Sequence, residues 1–178
     1  MKLSPARQIW LTAHKRFLII SLVTLIAILV VILRPVLFPA TSPVPANIKS
    51  QLSFPVLYPK NDTVNSSSWK YLSDEKDLTF TVKHGDFTVV FTEQEVPLAY
   101  QNDQAAYDRF IGTLRPSATF NTPLGSVSLA SFVTAGDFQY EGKSAILKSH
   151  NTLLIAHPSR ALSDDEWRSL FDSLKVDS

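Results

Sequence analysis

The sequence contains no cysteine, so it can form no disulfide, present no thiolate nucleophile and carry no lipid on a cysteine near its start. It has only five glycines, and they are scattered, which leaves no phosphate-cradling loop and no dinucleotide fingerprint. Five of the 17 basic residues, Lys2, Arg7, Lys15, Arg16 and Arg34, precede Lys49, and no acid does. The remaining 12 basic residues face all 16 acids, so the later part of the chain has a net charge of −4 under an overall charge of +1. A mildly acidic region without a basic stripe argues against nucleic acid as a partner, because such binding is driven by neutralising phosphates.

What the sequence does have is a long apolar run. Phe17 to Leu33 reads FLIISLVTLIAILVVIL, seventeen residues without a charge. As a helix rising about 1.5 Å per residue it covers roughly 25 Å, and Val36 to Phe38 extends it if Arg34 snorkels to the interface. Residues 17–38 are therefore expected to be a transmembrane signal-anchor that meets the lipid bilayer, with Trp10, Phe17, Leu33 and Arg34 as its boundary residues. The acid-free basic flank 1–16 places the N-terminus in the cytoplasm and the rest outside. A cleaved signal peptide shares this polarity. Its one tolerable cleavage pattern, Val44-Pro45-Ala46, lies far beyond the run, and the run exceeds the usual h-region of about 7–15 residues. Residues 39–51, rich in proline and small polar side chains, read as an extended spacer holding the domain roughly 30–40 Å off the bilayer at about 3.1 Å per residue.

Residues 52–178 form the expected exported domain, large enough to bury a core without disulfides. Its opening LSFPVLYPK carries Pro55 and Pro59, which suit an edge strand or strap. Leu78, Phe80 and Val82, then Phe87, Val89 and Phe91, alternate with polar residues on either side of His84-Gly85-Asp86, the pattern of a hairpin with His84 at its turn. A helix capped by Asn102 or Asp103 places Ala106, Tyr107, Phe110, Ile111 and Leu114 on one stripe and stops at Pro116. A β-rich stretch follows, broken at Gly136-Asp137, with a turn at His150-Asn151. Ser163 and Glu166 then have capping-box spacing ahead of Trp167, Leu170, Phe171 and Leu174 at helical intervals. The predicted fold is α+β: a twisted, mainly antiparallel sheet with two helices packed on one face.

The segment from Ile146 to Trp167 holds two histidines, three serines, an arginine and three consecutive acids, an inventory that resembles a hydrolase. A serine nucleophile needs a strained, exposed turn, and no G-x-S-x-G elbow occurs. His84, His150 and His157 show no metal-ligand spacing. His150 and His157 are expected at opposite ends of one strand, roughly 23 Å apart at about 3.3 Å per residue. No catalytic residue, metal or cofactor is assigned. Phe80, Phe87, Phe91, Phe110 and Trp167 are the candidate ligand-facing aromatics if an apolar molecule sits between sheet and helices; a dry core is the competing use of the same rings. A pilin-like subunit would need a processing glycine and an acid just inside the apolar segment, and both are absent.

The outline of basic start, single span, proline spacer, FPVLYP opening and a closing strand pair feeding LSDDEW resembles a group of small bacterial single-pass membrane-anchored proteins. These have an exported α+β domain of unknown function. The last features also resemble a domain on the exported parts of anti-sigma-type regulators. Here the span precedes the domain and the flank is too short for a sigma-binding region, so that role does not transfer. The group supplies no catalytic residues to carry over. The expectation is a non-catalytic cell-envelope protein that binds or scaffolds an envelope protein partner. The alternatives are a carrier or sensor of a small apolar ligand and a hydrolase using His150 or His157 with a neighbouring serine.

Overall fold

The structure, a computed structural model, describes residues 42–60, 62–131 and 142–177. The flank 1–16, the apolar segment 17–38 with Trp10, Phe17, Leu33 and Arg34, and the expected break at Gly136-Asp137 lie outside the described residues. No helix among the described residues is long and apolar enough to cross a membrane. The fold is α+β with a mainly antiparallel sheet, and the unit considered below begins at Ser42.

In chain order the elements are α1 (Ala46–Lys49), β1 (Val56–Pro59), β2 (Thr63–Val64), β3 (Lys70–Leu72), β4 (Asp77–His84) and β5 (Phe87–Glu95). There follow α2 (Leu98–Gln101), α3 (Gln104–Thr113), β6 (Ala118–Thr122), β7 (Gly125–Ala130), β8 (Ser144–Ser149), β9 (Thr152–Pro158), α4 (Asp164–Asp172) and β10 (Leu174–Asp177). The main sheet runs β2-β4-β5-β9-β8-β7-β6, with β3 also on β4, and every pairing is antiparallel. A separate ribbon pairs β1 with β10.

Strand register fixes which side chains share a face. One row across the sheet reads Leu78, Glu93, Leu154, Leu147, Val127, Phe120, and the next reads Phe80, Phe91, Ala156, Ala145, Leu129. Against this face pack the β1–β10 ribbon and Trp167, Leu170 and Phe171 of α4. Residues one step out of phase, Ile146, Leu153 and Ile155, point the other way and meet Tyr107, Phe110, Ile111 and Leu114 of α3. The two helices therefore cover opposite faces of the sheet, not one. The reason lies in β8 and β9: their side chains are buried on both sides, so the sheet centre needs an apolar cover above and below.

Two further expectations change. The segment 39–51 is not a spacer throughout: from Ser42 it belongs to the fold, with α1 in place of extended chain and Val44 and Ile48 buried. Two apolar side chains buried in the main core outweigh the proline content around them. The final helix ends at Asp172, and Leu174, expected on its stripe, begins β10, where Lys175 and Val176 pair with Tyr58 and Leu57. Without β10, that edge of β1 would have no strand partner.

Local chemistry matches the sequence reading elsewhere. Asp103 caps α3 by accepting from Ala106 N–H at 2.8 Å. Ser163 and Glu166 form the capping box of α4, with Ser163 N–H donating to Glu166 Oε2 at 2.7 Å. His150 and Asn151 both have positive φ, 48° and 67°, as a tight two-residue hairpin turn requires. The hairpin after β4 turns on Gly85, at φ 58°, and His84 is the last strand residue rather than the turn itself.

One core position is polar. Glu93 lies fully buried between Leu78 and Leu154, and both of its carboxyl oxygens, at 3.1 and 3.2 Å, accept from the N–H of Leu57. Burial pushes its pKa well above the usual carboxylate value, against the opposing pull of the Leu57 N–H. Beside it Thr152 Oγ donates to Pro55 O at 2.5 Å. These two side chains satisfy the edge of β1 that β10 leaves open.

Candidate functional site

Three connections meet at one end of the sheet: the link from β5 to α2, the β6–β7 turn and the β8–β9 turn. Between them opens a groove of about 580 Å³. Val96 and Leu124 give it apolar surface. Gln101, Asn102 and Asn151 supply amides, and Lys148, Ser149 and His150 an ammonium, a hydroxyl and an imidazole.

Hydrogen bonds hold these walls. Val96 N–H donates to Asn151 O at 2.9 Å, and Gln101 Nε2 donates to Val96 O at 3.0 Å. Lys148 Nζ donates to Tyr100 O at 2.9 Å and stands 4.9 Å from the centre of the Tyr107 ring. Burial, with the charge of Asp108, raises the Tyr107 hydroxyl pKa to about 12, so this ring stays neutral beneath the ammonium. Asn151 Nδ2 donates to Glu95 Oε1 at 3.1 Å, and Ser53 Oγ donates to Glu95 Oε2 at 2.8 Å. Those two donors, the Ser53 hydroxyl first, hold the Glu95 carboxyl below its ordinary pKa.

Each outer histidine has a side-chain partner. His150 Nδ1 lies 2.8 Å from Ser149 Oγ at the groove, and His157 Nδ1 lies 2.7 Å from Ser144 Oγ at the far end of β9. Seven residues along β9 and its turn separate the two, roughly 23 Å at about 3.3 Å per residue. Burial lowers the His157 pKa, which favours the neutral ring.

The third histidine forms an arrangement that sequence reasoning missed. Asp62 Oδ2 is 2.6 Å from His84 Nδ1, and Ser169 Oγ is 3.4 Å from His84 Nε2. The order is that of a serine-hydrolase triad, but Ser169 sits in the middle of α4, where backbone N–H groups are consumed by carbonyls one turn back. The backbone of α4 around Ser169 therefore offers no free N–H for an oxyanion hole, the largest single contribution in such chemistry. The three side chains act as a polar pin joining α4, the end of β4 and the loop before β2. Separations of 22 and 85 residues leave no local signal for it.

The candidate aromatics divide between the two faces. Phe80, Phe87, Phe91 and Trp167 belong to the core under α4 and the ribbon, whereas Phe110 lies on the opposite face beside Tyr100 and Tyr107. Rings fill against rings there: Trp69 stacks on Phe80 with centroids 4.3 Å apart, Phe80 on Phe91 at 5.3 Å, and Trp167 lies 6.1 Å from Phe171. No group of three or more metal-ligating side chains occurs among the described residues.

Compared with protein-family models, with curated proteins and with solved structures, the chain matches none of them.

Proposed function

We propose that this is a non-catalytic, single-pass cell-envelope protein whose domain, from Ser42 onward, stands outside the membrane and binds or scaffolds another envelope component through the groove at the β8–β9 turn. The groove carries the reading. It is open, it mixes two apolar side chains with amide, hydroxyl and cationic groups, and its walls are held by hydrogen bonds before any ligand arrives. Preformed polar and apolar groups of this kind suit a segment of a partner better than a small molecule, which is normally enclosed. The charge-free run from Phe17 to Leu33 and its basic flank support the anchoring half of the proposal. The mid-helix position of Ser169 supports the non-catalytic half.

A photo-crosslinking residue in place of Asn102, at the groove, tests the binding half when compared with one in place of Lys83, about 23 Å along the sheet at ~3.3 Å per residue. In cells the first is expected to give an adduct of one mass and the second none. Equal patterns from both positions, or no adduct from 102, would contradict it. Sustained ester turnover that Ser169→Ala abolishes would overturn the non-catalytic half.

A further inference from the structure

We propose that β6, at one edge of the main sheet, pairs antiparallel with β6 of a second copy of this chain, so that two domains share one continuous sheet.

Backbone parity carries the inference. β6 ends the order β2-β4-β5-β9-β8-β7-β6, and β7 occupies only one of its sides. The turn at Pro123-Leu124 sets Thr122 opposite Gly125, and the register continues with Phe120 opposite Val127 and Ala118 opposite Leu129. Alternate residues of an antiparallel strand bond to a given neighbour, so Ala118, Phe120 and Thr122 turn their N–H and C=O groups towards β7. Those of Thr119 and Asn121 turn outward, where they meet no partner among the described residues.

The other free edges are protected, and this one is not. At the far side of the sheet β4 is covered by two short pieces, β2 of two residues and β3 of three, the latter with an exposed Lys70. β10 carries Lys175 and Asp177. Brevity, charge and proline are what keep an edge from adding a further strand. β6 is five residues long, ATFNT, with neither charge nor proline, and Thr119 and Asn121 are exposed.

The absence of charge selects the occupant. From Pro116 to Gly136 the sequence has no charged residue. A foreign strand can be chosen by opposite charge, but a strand that meets itself across a twofold axis sets each charge near its own copy, which destabilises the pair. With the axis at Phe120, Thr119 of each copy stands opposite Asn121 of the other, and each such pair exchanges both of its N–H···O bonds. On the opposite face of the strand α4 exposes both signs, Asp165, Arg168 and Asp172, with the Arg168 guanidinium 5.0 Å from the centre of the Phe120 ring. Two copies of that helix can therefore approach without a field of one sign between them.

The test uses the full chain in mild detergent, and its lack of cysteine permits single thiols. Opposed residues of a hydrogen-bonded antiparallel pair lie about 5.5 Å apart between Cα atoms, within disulfide reach, whereas like positions lie roughly 8 Å apart, beyond it. Thr119→Cys and Asn121→Cys proteins oxidised together are expected to cross-link several-fold faster than either alone. Sedimentation is expected to show a dimer for the unsubstituted chain and a monomer with an unchanged unfolding temperature for Asn121→Lys, with Thr119→Lys as the second variant. A monomeric unsubstituted chain, a dimer that both lysine variants leave intact, or cross-linking as fast from Lys70→Cys at the far edge would each overturn the proposal.

Discussion

Replacing Glu93 by alanine is expected to destabilise the domain by about 2–4 kcal/mol, because the Leu57 N–H loses its acceptor in a dry layer and a gap opens between Leu78 and Leu154. Glu93→Gln keeps an acceptor for that N–H and should cost little below about pH 4.5, the unfolded carboxylate value. The two proteins then separate as pH rises. The folded-state pKa of Glu93 is raised by burial, so its stability is fully present below the unfolded value and is lost as pH climbs through the folded one. The glutamine variant, with nothing to ionise, escapes that loss and becomes the more stable protein on the alkaline side. On the acid side the two proteins lose stability together. The Arg160 hydrogen bond, chiefly, holds Glu166 down to about pKa 2, so its contribution is present above the usual carboxylate value and is lost as pH falls towards 2. Urea unfolding of both proteins across pH measures the difference; parallel curves would show that Glu93 does not govern the alkaline limb.

Trp167→Ala is expected to cost about 3–5 kcal/mol, the usual range for deleting a large buried aromatic, since Trp167 is 1% exposed beneath the sheet and touches Phe171. Trp167→Phe should cost only about 1–2 kcal/mol, because the ring's main contacts survive and its Nε1 has no hydrogen-bond partner among the described residues. The same pair addresses the apolar-carrier reading. A core closed by ring-on-ring contacts should bind a benzene-sized molecule only after the alanine substitution has opened a space for it. Thermal unfolding with and without benzene reads both effects. Stabilisation of the unsubstituted protein by benzene would favour the carrier.

Much of the fold could be read where side-chain periodicity and local hydrogen bonding decide the outcome. The β4–β5 alternation, the Ser163–Glu166 box and the His150-Asn151 turn are all short-range and appear where the sequence places them, and of the two caps it offers, Asn102 or Asp103, the helix uses Asp103. What escaped depends on partners far along the chain. Glu93 continues the inward parity of Phe87, Val89 and Phe91, yet a carboxylate reads as solvent-facing until Leu57, 36 residues earlier, supplies its donor. α1 looked like spacer because its two anchoring side chains, Val44 and Ile48, are isolated among prolines and polar residues. The second covered face of β8 and β9 was visible only as an apolar run that does not alternate, which fits a strand buried on both sides as well as a half-buried one.

The groove was less legible still. Its walls come from three connections, and of their residues only His150 drew attention as a candidate, for a reaction rather than for a surface. Lys148 gave no signal in sequence, because its role comes from Tyr100 and Tyr107, which reach it across the sheet face.

The anchored, outward-facing arrangement is the premise of every functional statement above, and cysteine labelling in intact cells tests it most directly. In the full chain, Lys83→Cys should react with a membrane-impermeant maleimide from outside, and Gln8→Cys only after the membrane is opened. Labelling of Gln8→Cys in intact cells, or protection of Lys83→Cys until lysis, would contradict the account.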